Sequence, residues 1–201
     1  MLNTSNDIKN PGLNILPPGV ERHVVNGGGL TAFQIFPDDE LEIINNEGNQ
    51  ICEVICFDKD GKSDVGILHL KSNNEKNFTR NILSGKDESI LATNYQLNKR
   101  NLKISNSKSS IIFDQDTRPG EKINLKSKDK CYAIFTAPGE DMDIANQNPP
   151  TDLTIFIKRA KIINDKELNV IPDPVFEPMY EENINKESCI SYEVKEGDYI
   201  Q

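Results

Sequence analysis

Residues 31–58 read TAFQIFPDDELEIINNEGNQICEVICFD. Leu41 and Ile43 alternate with Glu40 and Glu42, the period-two pattern of a strand with one buried and one wet face. Asn46-Glu47-Gly48-Asn49 has the composition of a tight turn between two strands. The stretch therefore predicts strands at 30–36, 40–45 and 50–57. Further along, SSIIFDQDT (109–117), EKINLKS (121–127), DKCYAIFTAP (129–138) and TDLTIFIKRA (151–160) are short apolar runs bounded by Pro, Gly, Asp or Asn. Short strands with mostly local connections predict a mainly β fold, an antiparallel sandwich or barrel. The interruption at about 75–100 has longer polar spacings. With Asp87 and Ser89 as candidate caps before ESILATNYQLNKRNL, it predicts a short helical insertion.

Outward from this frame, residues 1–22 hold Pro11, Pro17, Pro18 and Gly19 among polar residues and read as an extended N-terminal arm. Residues 23–160 form the β module. Residues 161–188, with Pro172, Pro174 and Pro178 among acids, read as a connector. Residues 189–201 return to strand-like alternation. Set beneath TAFQIFPDDELE (31–42), ISYEVKEGDYIQ (190–201) brings Tyr192 under Phe33, Val194 under Ile35, Asp198 under Asp39 and Ile200 under Leu41. The coincidence predicts the first strand of a second, truncated module whose remainder lies beyond Gln201.

With 201 residues the chain can bury a real core, although only 36% of it is apolar and it has no Trp. An excess of Asn, Ile and Lys over Ala and Arg reads as the codon bias of an AT-rich, bacterial genome. A net charge of −9 argues against nucleic acid and against anionic membranes. The most basic run, Leu97-Asn98-Lys99-Arg100-Asn101-Leu102-Lys103, is explained as a solvated helix end. The start MLNTSNDIKNPGLN lacks the apolar core of a signal peptide, and no stretch approaches the roughly 18 apolar residues of a membrane span. The expectation is a soluble, cytoplasmic protein. Four unpatterned cysteines agree with that compartment.

Catalytic, cofactor-binding and metal-ligating constellations are not found in this stretch. Only His23 and His69 are present, and neither has the clustered His and carboxylate partners of a metal centre or a catalytic base. Both read as structural or surface histidines. Cys52 and Cys56 would share one face of a strand about 13 Å apart, too far to chelate one ion. They and Cys131 read as buried core cysteines. Gly27-Gly28-Gly29 is not followed by Gly-Lys-Ser/Thr or a helix, so it reads as a loop needing unusual backbone angles. Glu140, Asp141 and Asp143 lack the spacing of a calcium loop. A small metal-dependent enzyme using Cys52, Cys56 and His69 remains as a minor reading.

The run VNGGGLTAFQIFPDDELEIINNEGNQICEVICFDKDG resembles the urea-carboxylase-associated domain family. That family shows an aromatic-x-aliphatic strand, a Gly-Asp type turn, an L-x-I/V strand and a motif E/G-G-x-Q-x-x-D/E-x-x-x-F. Gly48, Gln50, Glu53 and Phe57 occupy the motif positions. APGEDMDIANQNPPTDLTIFIKRA is similar to the closing part of such a module. The module occurs at the start of long bacterial proteins fused to a folate-binding aminomethyltransferase domain related to the glycine-cleavage T-protein, among them demethylases of trimethylamine N-oxide.

Metal-bearing copies carry Cys directly after the motif Gln and an Arg-His-Asp motif downstream. Here Ile51 follows Gln50, no Arg-His-Asp occurs, and Cys52 is one position late, on the opposite strand face. The resemblance thus implies a degenerate, non-catalytic first copy, partnered by downstream modules of the same polypeptide. It also implies cleavage of a small methylated amine substrate, trimethylamine N-oxide, to dimethylamine and formaldehyde. Zinc or iron would serve in the second module, and tetrahydrofolate would carry the one-carbon unit, all outside residues 1–201. The competing expectation is a freestanding β-barrel binding or scaffold protein without catalytic activity.

Overall fold

The computed structural model describes residues 16–17, 19–73, 78–86, 88–139 and 149–161. All of them belong to one of the chain's two units, Leu16–Val175. The expected connector, the strand at 189–201 and the acids Glu140, Asp141 and Asp143 lie outside the described residues.

Eight strands are present in the described residues: β1 (Val20–Val25), β2 (Leu30–Ile35), β3 (Glu40–Asn45), β4 (Cys52–Asp58), β5 (Ser109–Phe113), β6 (Glu121–Lys126), β7 (Cys131–Thr136) and β8 (Leu153–Lys158). They form two antiparallel four-stranded sheets, ordered β1-β8-β3-β6 and β2-β7-β4-β5. The fold is a β-sandwich. Strand β1 begins inside the stretch read as an extended arm. Its VERHVV sequence alternates exposed Arg22 with buried Glu21 and His23, so its inward side carries charge where the pattern rule looks for apolar residues.

Between the sheets, Val25, Leu41, Ile43, Leu153, Ile155 and Ile157 of the first face Phe33, Ile35, Val54, Cys56, Ala133 and Phe135 of the second. The first sheet's outer face is polar along its rim, where Glu40 pairs with Lys158 and Glu42 with Lys122. Exposed pairs of this kind contribute little stability.

The second sheet is different. Its central strands β4 and β7 are buried over almost their whole length, on both faces. Cross-strand rows Ile55–Ile134 and Phe57–Tyr132 point away from the sandwich core. They pack against Leu83, Leu97 and Leu102 of the insertion. That insertion contains α1 (Phe78–Leu83) and α2 (Glu88–Lys99), flanked by short 3-10 turns at Val65–Leu68 and Ile104–Asn106. The Asn94 amide of α2 donates to the Leu83 carbonyl at the end of α1 (2.9 Å), tying the helices together. The helices are a third layer that covers the second sheet.

A test follows from burial on both faces. Ile55→Ala, under the helices, should destabilise by about 2–5 kcal/mol, as much as Ile43→Ala between the sheets. Urea unfolding of the two variants checks this; a near-neutral Ile55→Ala would mean that the helical layer does not cover the sheet.

Candidate functional site

Among the described residues, ionisable and polar side chains gather at three places. The first joins the start of β1, the β2–β3 turn and the end of β8. Arg159 follows β8, and its side chain is only 4% exposed. Its Nε and Nη2 donate to the two oxygens of Glu21, both at 2.7 Å. Its Nη1 donates to Asp39 Oδ2 (2.7 Å) and to the Gln34 carbonyl (2.9 Å). The guanidinium also lies 5.6 Å from the Phe36 ring. Asp39 completes its shell by accepting from the Phe36 and Ala160 amides. His23 Nε2 faces Glu21 Oε2 at 3.2 Å, and the imidazole stacks on Phe33.

Burial pushes the Glu21 carboxyl up, but the bonds from His23 and Arg159 and the Arg159 charge outweigh it and hold it below its ordinary 4.5. Burial likewise works against the Arg159 charge, and the hydrogen bonds of Glu21 and Asp39 reverse that effect. Among the described residues, the guanidinium and the two carboxylates make their hydrogen bonds to one another and to nearby backbone, so the cluster fastens the strand ends.

The second place is the motif itself. Gly48 holds φ at +78°, and a side chain there would come within 2.7 Å of Pro119 N. Gln50 donates to the Ile51 and Pro138 carbonyls (both 2.9 Å) and accepts from the Thr151 amide (2.7 Å). Glu53 is fully buried on the face of β4 beneath the helices. Its Oε2 accepts from the amide and hydroxyl of Thr79 in α1, both at 2.7 Å, and the Thr79 hydroxyl meets that of Thr136 at 2.8 Å. Glu53 Oε1 has no protein partner among the described residues. Phe57 lies in the apolar contact with the helices. All four motif residues thus serve the fold: a turn, a loop closure, a helix attachment and a core contact.

The third place is a pair of thiols. Cys56 and Cys131 sit diagonally across β4 and β7 on the inner face and share a hydrogen bond. That bond, burial and nearby charge, including Asp64, push the Cys56 thiol far up. Burial, with the charge of Glu53 beside it, does the same to Cys52. Thiols held in this state are poor nucleophiles and poor metal ligands.

The sequence singled out His69 together with Cys52 and Cys56, and the structure separates them. The cysteines lie inside the sandwich, whereas His69 is exposed at the end of a 3-10 turn with φ at +59°. Among the described residues, no group of three His, Cys, Asp or Glu could hold a metal ion. Gly27 is needed for close approach: a Cβ there would sit 2.5 Å from the Pro150 carbonyl oxygen. Sequence reasoning did not single out Arg159, although an Arg directly after an apolar strand, with Glu21 and Asp39 at other strand ends, was a usable signal.

The class that these features define is a β-sandwich with a helical cover over one sheet. No family model matches the chain, so its likeness to urea-carboxylase-associated domains rests on the motif residues. Among curated proteins it is similar to the trimethylamine-oxide aldolase of Ruegeria pomeroyi, with 32% identity over 186 residues. That alignment covers 92% of this chain and spans only 23% of the relative's length.

Two measurements test this account. Arg159→Met removes the guanidinium shared by two buried carboxylates and should cost about 3–5 kcal/mol. Because the folded-state Glu21 carboxyl is depressed, its contribution is complete above its ordinary 4.5 and is lost as pH falls through the lower folded value. Denaturation at pH 3–5 should therefore show a steeper loss for the native chain than for Glu21→Gln, and equal slopes would count against the cluster. Separately, Cys52, Cys56 and Cys131 should resist alkylation in the folded protein and react fully in denaturant, as read by peptide mass mapping.

Proposed function

We propose that this chain is a non-catalytic, architectural module of a folate-dependent demethylase of the trimethylamine-oxide aldolase kind. The observation that carries the reading is the similarity to trimethylamine-oxide aldolase along nearly the whole chain, set against the small share of that relative it spans. The module's work would be to present and support downstream modules of one polypeptide in the cytoplasm. There, trimethylamine N-oxide would be cleaved to dimethylamine and formaldehyde.

Such chemistry uses zinc or iron and tetrahydrofolate, and the described residues offer no fitting set of donors for the metal. The thiols face the apolar core with their protons held tightly, and no three metal donors converge among the described residues. The metal would supply Lewis acidity and the folate a one-carbon acceptor, both from other parts of the polypeptide. The residues of this chain hold strands, helices and loop necks in place.

Purified 1–201 incubated with trimethylamine N-oxide, zinc or iron, and tetrahydrofolate should release neither dimethylamine nor formaldehyde. A coding sequence that continues beyond Gln201 into a strand with a Gln-Cys motif would support the reading. Turnover by 1–201 itself would overturn it, and a stop codon after Gln201 would favour the freestanding scaffold.

A further inference from the structure

The segments around Gln50 are tied together by side-chain and loop hydrogen bonds. One side chain joins the segment after β7, Ala137–Gly139, to the segment before β8, Pro149–Asp152: Gln50 donates to the Pro138 carbonyl and accepts from the Thr151 amide. Neighbouring bonds run between the same loops. Gly27 N donates to Asp152 Oδ1 at 2.8 Å, Gly28 N to the Ala137 carbonyl at 2.8 Å, and Ala137 N to the Gly29 carbonyl at 3.0 Å. Asn45 Nδ2 donates to the Gln50 carbonyl at 2.8 Å, holding the backbone from which the clamp projects. A Cβ at Gly27 would meet the Pro150 carbonyl, so the two segments approach here with no side chain between them.

We propose that Gln50 is a neck clamp, a positioning residue that makes Asn26–Gly29, Asn45–Ile51, Ala137–Gly139 and Pro149–Asp152 open and close as one local unit. Without its amide, the Ile51 and Pro138 carbonyls and the Thr151 N–H each lose a partner, and no ladder bond at those groups replaces it. Local opening then becomes easier while the sheets persist. Gln50, Ile51 and Pro138 are buried and Thr151 is half-buried, so the freed groups gain little from water while the segments stay closed. The proposal does not depend on the activity of any longer polypeptide.

Native-state hydrogen exchange of the full chain tests it through the amides of Gly27, Gly28, Ala137 and Thr151. In the unaltered protein the four should share one opening equilibrium and one urea dependence, distinct from the amides of Val54–Cys56 and Ile134. In Gln50→Leu all four should exchange faster together, by about tenfold or more, with the β4 and β7 amides unchanged. Gln50→Glu keeps the acceptor for Thr151 but sets a carboxylate against the Ile51 and Pro138 carbonyls, so it should accelerate the four amides at least as much as Gln50→Leu. Acceleration of Thr151 alone would overturn the clamp, as would equal acceleration throughout β4 and β7. Should Gln50→Leu fail to fold, the urea series on the unaltered chain still decides: four unrelated opening equilibria refute the unit.

Discussion

Strands β4 and β7 have no wet face, and that constraint organises the rest of the structure. A two-layer sandwich can bury only the inner side of each sheet, so Ile55, Phe57, Tyr132 and Ile134 would face water without a further layer. The helices between β4 and β5 remove that exposure, and for this reason the insertion belongs to the core. Glu53 shows how closely the two are joined. A carboxylate in the middle of a buried strand is costly unless bonded, and its bonds go to Thr79 of α1. The sheet holds the helix through a group that would be a defect without it.

Polar fastenings at opposite ends of the first sheet complement this apolar centre. At one end Arg159 binds strand starts and ends through charge; at the other Gln50 does so through a neutral amide. The two solutions differ physically. Charged groups withdrawn from water gain little net stability but punish any broken pairing, which favours one register over its alternatives. A neutral amide is less costly to bury than a charged group and tolerates local opening.

Much of the fold was legible: apolar alternation reports one-sided burial directly and gives the strands at 40–45 and 121–127, while 129–138 reads as a strand from its short apolar run bounded by Asp and Pro. Strand β1 was not, because Glu21 and His23 occupy inward positions that only distant partners, Arg159 and Phe33, make habitable. The continuous run ICEVICF was legible as a strand and its cysteines as buried, yet nothing local identified what covers its second face. That information lies in Leu83, Leu97 and Leu102, far along the chain. The motif residues were visible as a pattern, but their duties depend on Thr79, Pro138 and Thr151, whose proximity only the folded chain creates.

The insertion also governs the order in which the molecule can assemble. Strands β4 and β5 are neighbours in the sheet, but everything from Lys59 to Lys108 separates them in the chain. Their pairing cannot zip up from a tight turn, as that of an ordinary hairpin does. Closing so long a loop costs entropy before any ladder bond forms, and such non-local contacts slow folding. Helices α1 and α2, packed on the β4–β7 pair, shorten the effective loop and bring Ser109 to its place beside Ile55. The cover of the second sheet is thus also the route by which that sheet acquires its last strand.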